Sequence, residues 1–262
     1  MKKLVIAAAA LAAGIAFADE GIVSSTIVGY QTVEGISANQ YVALGTVFEN
    51  VDGSDVAIKD LVTVGTPVGA AAYGTSDQIW VWNTEDATWT KYYYYSGRQG
   101  KKWIKTTDAA TAAETEDTLA TGKTFFFCRA SSAAGTTTLT LSGKVKVFDG
   151  ESSFTVSANQ LAFAANPWPI ELNIKDISNY YTSGTPVGAA AYGTSDQIWL
   201  WDTATAGWTK YYYYSGRQGK KWIKTTDAAN ADETTDVIPA GAGFFFQRSS
   251  SASATATITF TK

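Results

Sequence analysis

The chain has 262 residues, with 45% apolar, 13% aromatic and 17% charged side chains and a net charge of −4. That composition can bury a sizeable core, and it excludes both a disordered chain and a large multidomain enzyme. There is no histidine, one cysteine and one methionine, which removes His-based acid–base catalysis, Ser-His-Asp and Cys-His nucleophilic sites, and His- or Cys-rich metal sites. The expectation is a non-enzymatic protein without a cofactor.

The N-terminus carries Lys2 and Lys3, an apolar run from Leu4 to Ile15, and the small-residue pattern Ala16-Phe17-Ala18 before Asp19. This is the layout of a secretory signal over residues 1–18. Its removal takes away two lysines and leaves 18 basic against 24 acidic residues, a mature net charge of −6. Such a balance argues against general nucleic-acid binding. No later run approaches the roughly 18 apolar residues of a spanning helix. The expectation is a secreted protein, extracellular, at the cell surface or periplasmic, with no transmembrane segment in the mature chain.

Beyond the leader, strand-length runs rich in Trp, Tyr, Phe, Val, Ile and Thr alternate with Gly, Asn, Asp and Ser. Strands are predicted near Ile27–Val33, Tyr41–Phe48, Gln78–Trp82, Trp89–Tyr95, Lys102–Lys105, Thr124–Arg129 and Thr137–Leu141, about seven in all. The turns Asn83-Thr84-Glu85-Asp86 and Ser96-Gly97-Arg98-Gln99-Gly100 join the third, fourth and fifth into an antiparallel meander. Short helices are predicted after Ser54-Asp55 and over the Ala-rich Asp108–Asp117, each opened by capping residues.

The second half repeats the first. Residues 65–110 recur at 184–229, offset by 119, with substitutions at five of 46 positions. The register continues through Gly122–Phe127 against Gly241–Phe246 and Leu139–Leu141 against Ile258–Phe260. The units are 19–142 and 143–262, joined by Ser142-Gly143 with no flexible linker. The predicted fold is all-β: two tandem β-sandwich or small-barrel units.

Candidate ligand-binding residues concentrate in the repeated meander. Period-two alternation puts Trp80 and Trp82 on one face of their strand, and Trp89, Lys91, Tyr93 and Tyr95 on one face of the next, with Tyr92 and Tyr94 opposite. Trp103 follows, and the second copy supplies Trp199, Trp201, Trp208, Lys210, Tyr212 and Trp222. Aromatics on both faces of a two-layer fold should leave some rings wet unless a loop or another subunit covers them. Wet rings beside polar groups suit stacking on a sugar, whereas the structural alternative is core packing and cross-strand aromatic pairs. Basic residues share the hairpin: Arg98, Lys101, Lys102 and Lys105, then Arg217, Lys220, Lys221 and Lys224. With Lys91 and Lys210 they make ten of the 18 mature cations. They suit sulfate, uronate or phosphate, or else serve as a solvated turn that lysines protect from edge pairing.

Cys128 aligns with Gln247 and reads as packing, with cross-linking between chains as the other option for an odd cysteine in an exported protein. Asp52-Gly53-Ser54-Asp55 and Glu114-Thr115-Glu116-Asp117 lack a complete calcium loop and read as surface, so no metal is implied. Asp77 and Asp196 read as turn residues opening equivalent strands.

The Ile27-Val28-Gly29-Tyr30 start, the Asp77-Gln78-Ile79-Trp80 strand and the Phe-rich endings Gly122–Arg129 and Gly241–Arg248 resemble a group of uncharacterised exported bacterial β-repeat proteins. The resemblance spans most of both units and implies export and all-β architecture, with no activity to carry over. The expected function is binding of polysaccharide or cell-envelope glycan through the aromatic-basic hairpin. The alternative is a structural subunit of a surface layer or filament that assembles with copies of itself.

Overall fold

A computed structural model describes residues 5–8, 28–145, 152–168 and 170–260. Of residues 1–18, predicted as a leader, only Val5–Ala8 is described, as a strand antiparallel to Val28–Ile36; the rest lies outside the described residues. Residues 146–151 also lie outside the described residues, and the strand Thr137–Val145 passes straight through the Ser142-Gly143 junction.

Each unit is a sandwich of open antiparallel sheets, which removes the small-barrel alternative. In the first unit a five-stranded sheet runs in the order Tyr41–Gly45, Thr124–Cys128, Gln78–Asn83, Thr88–Gly97, Gly100–Lys105. One face packs on an outer sheet built around Val28–Ile36 and Thr137–Val145. The core between them holds Ile36, Val42, Leu44, Ile79, Tyr92, Trp103, Phe125, Phe127, Leu139 and Leu141. The second unit repeats this with Leu161–Ala165, Gly243–Gln247, Gln197–Asp202, Gly207–Gly216 and Gly219–Lys224. Its outer sheet is Ser152–Val156, Ala256–Phe260 and Tyr181–Ser183.

The predicted strand Tyr41–Phe48 is two strands. Thr46 Oγ1 donates to the carbonyls of Ala120 (2.6 Å) and Lys123 (3.0 Å), turning the chain so that Phe48–Glu49 leaves the first sheet and pairs with Lys144 and Val145 in the outer one. Neither predicted α-helix forms. After Ser54-Asp55, the Asp52 carboxylate accepts from Ser54 N (2.9 Å) in a tight turn, and Val56–Ala57 becomes a strand paired with Thr118–Leu119. The Ala-rich stretch makes one 3-10 turn at Thr106–Asp108 and ends at Ala112 with φ +45°; Thr115 N then donates to Trp103 O (3.0 Å), so this segment runs along the open side of the Lys strand. Covering that edge and burying Ala112 against Tyr93 and Tyr95 outweigh the weak helix propensity of a short segment.

The two five-stranded sheets then stack face to face, making four layers. The contact is reciprocal, as an approximate two-fold requires. Trp82 Nε1 donates to Leu161 O (2.7 Å) and Trp201 Nε1 to Tyr41 O (2.7 Å), while Leu44 bridges Ala242 and Ala164 bridges Lys123. Backbones touch there: a methyl at Gly45 would overlap Ala165, its repeat equivalent, and one at Gly243 would overlap Thr124, its own equivalent.

Candidate functional site

Register places the meander side chains on the faces that alternation predicts. Trp80 pairs with Lys91 and Trp82 with Trp89 on one face, and Ile79 with Tyr92 on the other. The wet-ring expectation, however, is corrected by the second unit. Trp80, Trp82, Trp89, Trp199, Trp201 and Trp208 all pack, partly buried, around an inter-unit cluster of Ala43, Phe126, Cys128, Phe163 and Phe245. Phe163 stacks on Phe245 (4.3 Å between centroids, 19°) and on Phe126 (5.1 Å, 27°), with Trp89 edge-on at 5.9 Å. A sheet whose two faces are both aromatic is satisfied by a second sheet rather than by a ligand.

The remaining candidate rings are also turned inward. Trp103 (5% exposed) and Trp222 (0%) belong to the cores of their own units. Tyr93 and Tyr212 are buried, each under a tyrosine from a neighbouring loop, Tyr73 and Tyr192, with edge-on centroids 5.9 and 5.8 Å apart. As ligand-stacking residues these four are corrected: no ring face is offered to solvent. Burial pushes the Tyr73 hydroxyl up to about 12.

The basic residues divide by position. Lys91 and Lys210 lie over the Trp80 and Trp199 rings at 3.9 and 4.1 Å, cation–π contacts at the rim of the inter-unit cluster. Lys105 and Lys224 pair with Asp117 and Asp236, both at 3.0 Å. Those carboxyls are held below the usual range first by the hydroxyls of Tyr92 and Tyr211 (both 2.7 Å) and then by the lysines. Burial, then the carboxylate, pushes each hydroxyl up in turn.

Arg98, Lys101 and Lys102, with Arg217, Lys220 and Lys221, are left exposed or half-exposed at the hairpin tips. Among the described residues none of the six has an ion-pair partner within 4 Å. The tips are held in shape: the Tyr95 ring lies over Gly97 and the Tyr214 ring over Gly216, where any side chain would collide. Each Tyr strand runs from the inter-unit cluster at Trp89 or Trp208 to its tip, so the two cationic tips point away from the contact between units.

Sequence reasoning missed a buried latch. Arg129 Nη1 donates to Asp77 Oδ2 (2.7 Å), whose carboxylate also accepts from Val68 N and Ala130 N (2.9 Å each). Arg248 and Asp196 repeat this at 2.6 Å, with Tyr181 OH added at 2.8 Å. The Asp residues are therefore more than turn openers: each ties the Phe strand's end to the loop before the Trp strand. The signal was the Arg closing both Phe-rich runs.

Cys128 is buried at the inter-unit cluster, and burial drives its thiol far up, away from the reactive thiolate. Of the acidic stretches set aside for calcium, Asp52 is used by Ser54 and Glu116 by Lys59 (2.9 Å). Among the described residues no three His, Cys, Asp or Glu converge as metal ligands would.

A groove of about 710 Å³ opens at the boundary between the units, with Thr84, Glu85 and Lys123 on one side and Ser152, Phe154 and Thr155 on the other. Across the approximate two-fold a larger side chain stands where Ser152 does. Gln31 faces Leu141 as Ser152 faces Phe260, so the two share one place in their units, and the fully buried Gln31 side chain presses on Gly241 where the small Ser152 meets Gly122. No family model matches the chain, and neither a curated protein nor a solved structure matches it.

Proposed function

We propose that this is an exported, non-enzymatic scaffold that binds acidic glycan or another anionic envelope polymer through its two cationic hairpin tips. The observation that carries this reading is a set of cations without an ion-pair partner among the described residues, Arg98, Lys101 and Lys102 with Arg217, Lys220 and Lys221, concentrated at two places on a chain that is acidic as a whole. Arg offers a planar fork to sulfate, uronate or phosphate and Lys adds point charges. The aromatics of the same hairpins contribute stiffness instead of stacking, so charge and not sugar identity sets the preference. Two tips on one rigid body let a long polyanion bind bivalently.

The test is retention on sulfated and polyuronate matrices against neutral polysaccharide, as salt is raised. Retention on the acidic matrices, weakening with salt, is expected, with partial loss for Arg98→Ser/Lys101→Ser and near-complete loss when Arg217→Ser/Lys220→Ser is added. Equal retention on neutral and acidic matrices, or none on either, overturns the reading. A second reading, a subunit that assembles with copies of itself, is favoured by one specific feature, the outer edge of Ser152–Val156, which has no strand beside it among the described residues.

A further inference from the structure

Strand Ser152–Val156 ends its sheet, and among the described residues its backbone pairs only with Ala256–Phe260. It has none of the devices that blunt an edge: no charge, no proline, and an unbroken register. The 710 Å³ groove runs beside it, with Phe154, Phe163 and Phe260 in its wall. The same edge in the first unit, Val28–Ile36, is already occupied. Val5–Ala8 pairs antiparallel along it, from Val5 opposite Thr32 to Ala8 opposite Gly29.

Those four residues belong to the leader. Once residues 1–18 are gone, Val28–Ile36 loses its neighbour, and it carries Tyr30, one of three large hydrophobic residues exposed among those described (39%). Among the described residues the chain then has two open edges that occupy equivalent places in its two units. We propose that in the leaderless chain the Val28–Ile36 edge of one copy adds antiparallel to the Ser152–Val156 edge of the next, with Tyr30 entering the groove. This deepens the self-assembly reading and rests on removal of residues 1–18.

Backbone hydrogen bonds supply the affinity in such strand addition, and the groove supplies a pocket for one side chain. Because two different edges meet, the contact is heterologous and propagates head to tail into filaments or rings. The leader caps one end of every copy until it is removed.

The test compares chains 1–262 and 19–262 by light scattering over a range of concentrations. Among the described residues the buried clusters of both units fall within residues 33–260, so 19–262 retains them, and its cooperative melting is recorded beside the scattering as the check that it folds. The 19–262 chain is expected to grow past the dimer with concentration, while 1–262 stays monomeric. In 19–262, Thr155→Lys should stop growth with the melting temperature unchanged, Ser153→Lys serving if that variant is unstable, and Tyr30→Ala should weaken association about tenfold or more. Mixing 1–262 with 19–262 Thr155→Lys should give a one-to-one dimer, since each retains the edge the other lacks. A 19–262 chain that stays monomeric, or equal association of both forms, overturns the proposal. Retention of residues 1–18 in cells would overturn export alone, because the pairing is measured on purified chains.

Discussion

Phe163 occupies the centre of the inter-unit cluster, and its repeat equivalent, set opposite Phe126 as Phe163 is set opposite Phe245, is Ala43. One ring and one methyl therefore share a seat that two rings would overfill and two methyls would leave empty. Phe163→Ala removes a side chain 8% exposed that stacks on two others at 4.3 and 5.1 Å. Truncating a buried Phe costs about 3–5 kcal/mol, and the paired stacking places this case near ~4 kcal/mol. Ala43→Phe alone overpacks the seat and costs about 1–3 kcal/mol. In the double variant Ala43→Phe/Phe163→Ala, the ring returns from the other unit to lie between the same two phenylalanines. The expected loss is then under ~2 kcal/mol, instead of the ~5–7 kcal/mol of two independent changes. Urea and thermal unfolding followed by circular dichroism read this directly, since ~4 kcal/mol in a chain of this size lowers the melting temperature by roughly 8–16 °C. A Phe163→Ala loss under ~1 kcal/mol would mean that the aromatic faces are wet, and an additive double variant would mean that the two-fold is not real.

Replacing Arg129 by Met should cost about 3–5 kcal/mol, because the Asp77 carboxylate stays buried without its counter-charge, and Asp77→Asn in the same chain should recover part of it; unfolding curves of the three variants decide. On the acid side, Asp117 and Asp236 have depressed pKa values in the fold, so their contribution is present above the ordinary carboxylate pKa of about 3.9 and is lost as pH falls through the lowered value. Both are over 40% exposed, so the effect is a few tenths of a kcal/mol each, seen as a flatter acid limb of melting temperature in Asp117→Asn/Asp236→Asn. On the alkaline side Tyr92 and Tyr211 are raised by burial, so their contribution is full below about pH 10 and is lost as pH climbs through the raised values. Phenolate absorbance for these two should therefore appear together with unfolding, and early, reversible titration of all 14 tyrosines would refute their burial.

Strand identity and facing were legible because alternation and Gly, Asn and Asp punctuation are local signals: Ile79, Val81 and Tyr92 fall on the core face as period two requires. What covers the opposite face is set by the other copy of the repeat, 79 residues away where Trp82 meets Leu161, and Phe163 does not announce in its own strand that it will meet Phe126. The helices were misjudged for the same reason. Ala109 to Ala113 has the composition of a helix, but the carbonyl of Trp103 needs a partner at the sheet edge and Thr115 supplies it. The buried Arg129–Asp77 pair joins residues 52 apart, which spacing alone does not link.

The pattern of divergence between the copies also has a physical reading. Of the five differences within the 46-residue repeat, Asn83/Asp202, Glu85/Ala204, Asp86/Thr205 and Thr88/Gly207 lie in or beside the turn between the Trp and Tyr strands, and Val81/Leu200 is a conservative change on the core face of the Trp strand. That turn projects toward the opposite unit, with Thr84 and Glu85 in the wall of the groove and Trp82 bonded to Leu161. The hairpin tips, which are identical in the two copies, point away from the opposite unit. In the first copy the turn shares the groove wall with Ser152, whose place in the first unit is held by the larger Gln31. Within the repeat the two copies thus depart from each other mainly beside the groove, and they agree at the cationic tips, where both units are offered to solvent in the same way.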